Sequence, residues 1–359
     1  WALADTARDN GSGPWVAEGD WAAGLAAWRL GDCDKAAEAF QRSAAGSTNP
    51  NLTAAAHYWA GRALIRCRFP EKADEQLRGA ARFPETLYGM LAHEQMGRDL
   101  PETHAQPDLT EADWRRLRDE QAVQQAGMLA EIGRRDEAAD DLVWLVRHGN
   151  SDDYAALSRL ARALGLTGAQ TFMAYNAPRG EGAHPSLRYP VTFRTPVGGW
   201  RVDPALAFAH ALQESNFRER VVSPAGAIGL MQIMPITQRE YAASINMSSN
   251  ADLKDPAVNL AFGQRTLESL STAGYTQGRL PKIMAAYNAG PSPVGRWESE
   301  IRDDGDPLLY IESIPYWETR GYVAVVMRNY WMYLRQADAP APSRIDLAEN
   351  DWPLFPKVR

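Results

Sequence analysis

The chain is poor in cysteine, in long apolar runs and in charge of a single sign. Of 359 residues only Cys33 and Cys67 are cysteines. Two sulfurs cannot staple a small scaffold, so stability must come from apolar burial, for which the chain is long enough. The pair is compatible with an oxidising compartment without requiring one. The two cysteines fall at similar points of neighbouring helical stretches, and two readings stand, a disulfide and a pair of buried thiols. No apolar run reaches the roughly 18 residues of a membrane-crossing helix, so no integral membrane segment is expected. The six histidines are scattered without metal-ligand spacing. Net charge is −7, with 21 basic against 27 acidic residues over 1–189 and 14 of each over 190–337. That balance is not a nucleic-acid footprint, and the acidic excess is assigned to solvated helix faces. There is no starting methionine and no leader; a chain opening on Trp1 reads as a processed or trimmed form.

What is present is mostly helical. Trp21 to Gly31 is followed by Lys35 to Phe40, and about 37 residues later Tyr58 to Ile65 is followed by Lys72 to Leu77. Gly24 then corresponds to Gly61, and Phe40 to Leu77. A third hairpin is expected over 127–146, turning at Gly133. One helix pair per repeat, with small residues at the close approaches, is similar to a TPR-like α-solenoid. The tryptophans at 21, 28, 59, 114 and 144 sit at helical spacing, which favours the core over a sugar platform. From Ala177 to Asp203 prolines and glycines break the pattern, placing a boundary near 188. Residues 1–187 are read as solenoid and linker, 188–337 as a second, mainly helical domain, and 338–359 as a Pro-rich tail lying irregularly over the surface.

The second domain is organised around residues 203–235. Asp203 and Pro204 suit the cap and first turn of a helix. Leu206, Ala209 and Leu212 form part of its apolar face, and Glu214 arrives in its last turn. A loop with Pro224, Gly226 and Gly229 follows, where backbone can approach a ligand. Desolvation under such a loop raises a carboxyl pKa, as a general acid near neutral pH requires. His210, one turn earlier, reads as a packed or hydrogen-bonded helix residue. Asp203, Asp252 and Asp255 read as caps, and Glu219 and Glu240 flank exposed-looking basic residues, leaving one credible acid.

Three blocks carry a resemblance. Glu214-Ser215 is followed by Ser223-Pro-Ala-Gly-Ala-Ile-Gly-Leu-Met-Gln232. Downstream come Ala286-Tyr287-Asn288-Ala289-Gly290-Pro291, then Ile311-Glu312-Ser313-Ile314-Pro315-Tyr316 running on to Glu318-Thr319-Arg320-Gly321-Tyr322-Val323. In this order, over about 110 residues, they resemble the lytic transglycosylases, specifically the soluble Slt-type murein transglycosylases of family 1. The tetrapeptide Ala174-Tyr175-Asn176-Ala177 repeats outside the blocks and lacks the following glycine, so it reads as a helix end. Leu87 to Ala92 is similar to a stretch in the helical region that precedes the catalytic domain in that family. The chain departs from the family at Glu219, where proline is common, and at Val221, where a small residue is common.

The resemblance implies an all-α protein, a TPR-like superhelix followed by a lysozyme-like catalytic domain. It implies cleavage of the MurNAc–GlcNAc β-1,4 bond in peptidoglycan without water, leaving 1,6-anhydromuramoyl ends. Glu214 would protonate the leaving oxygen and then take the proton of the attacking C6 hydroxyl. Ser223 and Gln232 would bond sugar polar groups, Met234 would wall the ring, and Tyr287 would stand near the acid. Glu312 would meet the stem-peptide amine at the groove floor. For Ser215, Asn288 and Tyr322 a structural role and ligand contact both stand. No cofactor or metal is called for. Partners would be glycan strands and stem peptides, with cell-envelope proteins through the solenoid, in the periplasm of a Gram-negative bacterium. Two alternatives remain: a goose-type hydrolytic muramidase and a non-catalytic peptidoglycan-binding scaffold.

Overall fold

The computed structural model describes residues 6, 9–101, 107–179, 182–191 and 194–356. The described residues form eighteen α-helices, with isolated bridges in place of strands. In chain order these are α1 (Pro14–Arg29), α2 (Cys33–Gly46), α3 (Pro50–Arg66), α4 (Pro70–Ala81), α5 (Leu87–Gln95), α6 (Glu111–Leu117), α7 (Gln121–Glu131), α8 (Arg135–His148) and α9 (Tyr154–Ala163). They continue with α10 (Thr167–Tyr175), α11 (Pro204–Ser215), α12 (Pro235–Tyr241), α13 (Pro256–Ser271), α14 (Leu280–Ala289), α15 (Pro291–Glu300), α16 (Pro307–Ser313), α17 (Trp317–Gln336) and α18 (Pro342–Ala348). The all-α expectation holds.

Contacts divide the chain into two compact units. One comprises 1–102, 301–315 and 341–353; the other comprises 103–300, 316–340 and 354–359. This division does not follow the boundary expected near 188. Helices α6 to α10 group with the segment that carries Glu214, and α16 and α18 group with α1 to α5.

In the first unit, α1 to α4 pack as successive neighbours. The Asp32 carboxylate caps α2 by accepting from the Lys35 amide, and Pro50 and Pro70 start α3 and α4. The repeat read from the sequence is physical. A Cβ on Gly24 would lie 2.5 Å from the Phe40 ring, and one on Gly61 would lie 3.2 Å from Leu77. The missing side chain on the first helix of each pair is the space that the large residue on the second fills. Trp21, Phe40 and Trp59 form the aromatic core, with ring centroids 5.2 to 6.3 Å apart. Cys33 and Cys67 form a disulfide with a Cα–Cα distance of 5.6 Å, which decides between the two sequence readings. The same two sulfurs lie with Asp34 in a metal-like cluster, but joined to each other they offer no thiolate.

Distant segments return to this unit. The Arg62 guanidinium pairs with Asp306 at 2.8 Å, Arg344 pairs with Glu94 at 2.7 Å, and Trp352 packs on Tyr310 at 5.4 Å. The tail expected to be irregular therefore contains α18, whose start Pro342 is well placed to allow.

The second unit contains two cores. Helices α6 to α10 share one, centred on Leu142, Leu157, Leu160 and Met173, and the third hairpin turns at Gly133 as expected. Trp114 and Trp144 depart from the core expectation, being 43% and 55% exposed. In α8 the buried stripe is Ala138, Ala139, Leu142 and Leu145, and Trp144 lies off it. The other core gathers α11, α13, α14 and α17. Helix α17 is its largest contributor, burying Tyr322, Val326, Tyr330 and Trp331 among others.

Candidate active site

Helix α11 delivers Glu214. Asp203 caps it, accepting from the Ala205 amide at 2.9 Å, and the Tyr330 hydroxyl of α17 bonds the other carboxylate oxygen at 2.8 Å. The helix stops because Asn216 turns left-handed, at φ +51°. Asparagine tolerates that conformation better than most residues. Ser215, directly after the acid, is buried and donates to the Leu230 carbonyl at 2.8 Å. Its role is structural: it ties the helix end to the loop that passes over it.

That loop is built from backbone hydrogen bonds. The Gly229 amide donates to the Val221 carbonyl at 2.9 Å, and Ile228 and Ile233 exchange a reciprocal pair at 3.0 Å. Gly229 has φ +76°, and a Cβ there would sit 2.4 Å from the Asn259 amide nitrogen, so both conformation and space demand glycine. Asn259 of α13, fully buried, is the loop's anchor. It accepts from the Met231 amide at 2.8 Å and donates to the carbonyls of Ile228 at 2.7 Å and Leu253 at 2.8 Å. The sequence places it on a helix but gives no sign of this task.

A second anchor comes from α8. The Asp136 carboxylate accepts from the amides of Glu219 at 3.1 Å and Arg220 at 3.0 Å. Proline at 219 could not donate, so this contact accompanies the chain's departure from the family at that position. Glu219 itself is buried, 3.8 Å from Arg194, and burial raises its pKa. The basic residues that flank it, Arg218 and Arg220, are exposed as expected.

The predicted acid is half-buried. Desolvation lifts its pKa from 4.5 to about 7; a hydrogen bond from Tyr322 opposes the rise and the nearby Glu318 charge adds to it. The Tyr322 hydroxyl donates to Glu214 Oε1 at 2.7 Å and lies 2.8 Å from His210 Nδ1. Tyr287 stands in the same cluster, its ring 4.6 Å from that of His210. Its hydroxyl donates to the Met231 carbonyl at 2.8 Å, and burial followed by the Glu214 charge pushes its pKa well up. Tyr322 is raised for the same reasons. Both phenols therefore stay protonated at working pH and serve as donors. His210 is buried and hydrogen-bonded, as expected, and burial drives its pKa down to about 3.

The other predicted residues divide. Gln232 adopts φ +50° and bonds the Gly229 carbonyl at 2.8 Å through its amide nitrogen. Ser223 Oγ accepts from the Ala227 amide at 3.0 Å, closing the turn that holds Gly226. Met234 is 37% exposed. Asn288 accepts from the Thr319 hydroxyl at 2.6 Å, joining α14 to α17. Glu312 belongs to the first unit, on α16, where the Tyr88 hydroxyl donates to it at 2.5 Å. The nearby charge that adds to the rise at Glu214 is that of Glu318, exposed in the first turn of α17. It lies inside a recognised block, but linear order does not reveal which glutamate approaches the acid.

Comparison with known proteins places these features. Residues 193–308 match the transglycosylase SLT domain model. The soluble lytic murein transglycosylase of Escherichia coli strain K12 is 36% identical over 168 residues, covering 45% of this chain and 25% of that protein. The solved structure of the 70 kDa soluble lytic transglycosylase of Escherichia coli superposes with a TM-score of 0.76 at 23% identity, covering 98% of this chain and 56% of the other. An inactive mutant of the lytic transglycosylase Slt from Pseudomonas aeruginosa superposes with a TM-score of 0.69 at 24% identity, covering 92% and 52%. The chain thus spans a quarter of the curated relative's length, and the structural likeness establishes the fold.

Proposed function

We propose that this chain, which carries a transglycosylase SLT domain, is a lytic murein transglycosylase. Its substrate is peptidoglycan, cut at the MurNAc–GlcNAc β-1,4 bond to leave 1,6-anhydromuramoyl ends. The observation that carries the reading is Glu214: a half-buried carboxyl held near pKa 7 by desolvation, with a phenol donating to one oxygen. Such a group is protonated often enough at neutral pH to give a proton to the leaving oxygen, and basic enough afterwards to accept one.

In the first step Glu214 donates its proton to the glycosidic oxygen as the C1–O bond breaks. The carboxylate that results is stabilised by the Tyr322 hydroxyl. In the second step that carboxylate takes the proton of the muramic C6 hydroxyl, whose oxygen closes on C1. The nucleophile belongs to the substrate, so the closure is intramolecular and needs no positioned water. Glu214 ends protonated, ready for another cycle. Gln232, Ser223 and Met234, on the loop that covers the end of α11, are assigned to the sugar; Tyr287 and Asn288 hold the cluster from α14.

The disulfide supports an oxidising location, which for such a substrate is the periplasm. Among the described residues no helix is long and apolar enough to cross a membrane.

The hydrolytic alternative draws on Glu318, a second carboxylate within electrostatic reach of Glu214. An inverting hydrolase would use such a group to activate water. Product chemistry decides. Digestion of purified sacculi should release muropeptides with anhydro ends, and Glu214→Gln should lower the rate by roughly a thousandfold or more. Reducing ends as the main product, or lysis that survives in Glu214→Gln, would overturn the assignment.

A further inference from the structure

His210 is fully buried on α11, one turn before Glu214. Its Nδ1 and Glu214 Oε1 flank one phenolic oxygen, that of Tyr322, at 2.8 and 2.7 Å. Its Nε2 is buried and meets no hydrogen-bond partner among the described residues. These three facts restrict where the protons stand.

A neutral imidazole carries one N–H. If that proton is on Nε2, Nδ1 must accept the phenolic proton. The Tyr322 oxygen is then left to accept, and the carboxyl proton of Glu214 turns inward to it. This arrangement also strands a buried N–H without an acceptor, which folded proteins rarely do. If the proton is on Nδ1, it is donated to the Tyr322 oxygen and the phenolic proton is directed to Glu214 Oε1. That oxygen then accepts in both ionisation states, and the acid's own proton resides on Oε2. The cost is one unsatisfied lone pair on Nε2, the milder deficit.

We propose that His210 is a positioning residue: as the Nδ1–H tautomer it fixes the direction of the Tyr322 hydroxyl, so that Glu214 keeps its transferable proton on Oε2 rather than losing it to the interior. The proposal rests on the reading of Glu214 as general acid. Its action is directional and not ionic, since burial keeps the ring neutral through the working range. The titratable groups that face the relay are Glu214 on α11, Tyr287 on α14, and Tyr322 and Glu318 on α17.

Three substitutions and one spectrum test it. Asparagine at 210 can place an amide N–H near the position of Nδ1, glutamine near that of Nε2, and phenylalanine at neither. His210→Phe should lower kcat by about tenfold or more with KM little changed, and should move the alkaline limb of the kcat–pH profile. His210→Asn should recover most of the loss and His210→Gln should not. In the wild-type protein, ¹⁵N NMR of labelled histidine should show His210 protonated at Nδ1. An Nε2–H tautomer, wild-type kinetics in His210→Phe, or equal impairment of His210→Phe and His210→Asn would each overturn the proposal. Activity retained by Glu214→Gln would instead overturn the reading beneath it.

Discussion

Replacing the Glu214 carboxyl should stabilise the protein, and only above a defined pH. In the folded chain Glu214 titrates near 7, raised from 4.5 mainly by desolvation. A raised carboxyl pKa means that between these values the folded state holds a proton that the unfolded state has released. Stability therefore falls as pH climbs through that window. At about 1.4 kcal/mol per pH unit, the full effect is roughly 3 kcal/mol, reached once pH exceeds 7 and absent below about 4.5. Glu214→Gln removes the titration while keeping an oxygen that can accept from Tyr322. Urea unfolding at pH 5 and pH 8 should show the mutant's advantage growing by roughly 2 to 3 kcal/mol between them. The same mutant should be nearly inactive at both. A stability difference that does not change with pH would refute the claim that this carboxyl is desolvated, and with it the physical basis for its acid role.

Other outcomes follow from the same geometry. Glu318→Gln should leave anhydro product formation intact and lower the apparent pKa of the acid in the kcat–pH profile, because the like charge that raises it is gone; loss of turnover would favour the hydrolytic mechanism. Asn259→Ala should cost about 3 kcal/mol or more, since it orphans buried backbone groups of the loop over the end of α11. Hydrogen exchange at the Met231 amide should accelerate more than global unfolding explains, and unchanged protection would show that the anchor is dispensable. Cys33→Ser opens a loop closed across 34 residues and should destabilise by up to about 4 kcal/mol, read as a reducing-agent-sensitive unfolding transition in the wild type alone. Equal sensitivity in the mutant would count against it.

Much of the site was legible because its chemistry is local. Asp203 and Pro204 announce the helix, and Glu214 follows at its end. The loop glycines declare a backbone that side chains would obstruct. The first repeats were equally legible, because each glycine and the large residue that fills its space stand 16 positions apart in both copies, Gly24 with Phe40 and Gly61 with Leu77. What escaped depends on residues far apart in sequence. Asp136 reaches amides more than 80 positions away, and no periodicity predicts a carboxylate spent on another segment's backbone. Glu312 and Glu318 stand in the same recognised stretch, yet they fall into different units because Pro315 and Tyr316 divide α16 from α17. In the sequence Tyr322 and His210 stand as separate candidates, 112 positions apart. Their conjunction through one hydroxyl is a property of helix packing, which only coordinates reveal.

The return of residues 301–315 and 341–353 to the unit formed by α1 to α5 has a consequence for biosynthesis. Arg62, its guanidinium largely enclosed, draws its counter-charge from Asp306, a residue that leaves the ribosome some 240 positions later. Until then the nascent amino-terminal half carries an uncompensated cation where the finished molecule is nearly dry. Vectorial folding is thereby incomplete by design of the chain order, and nicking between Ala341 and Pro353 should loosen helices translated long before.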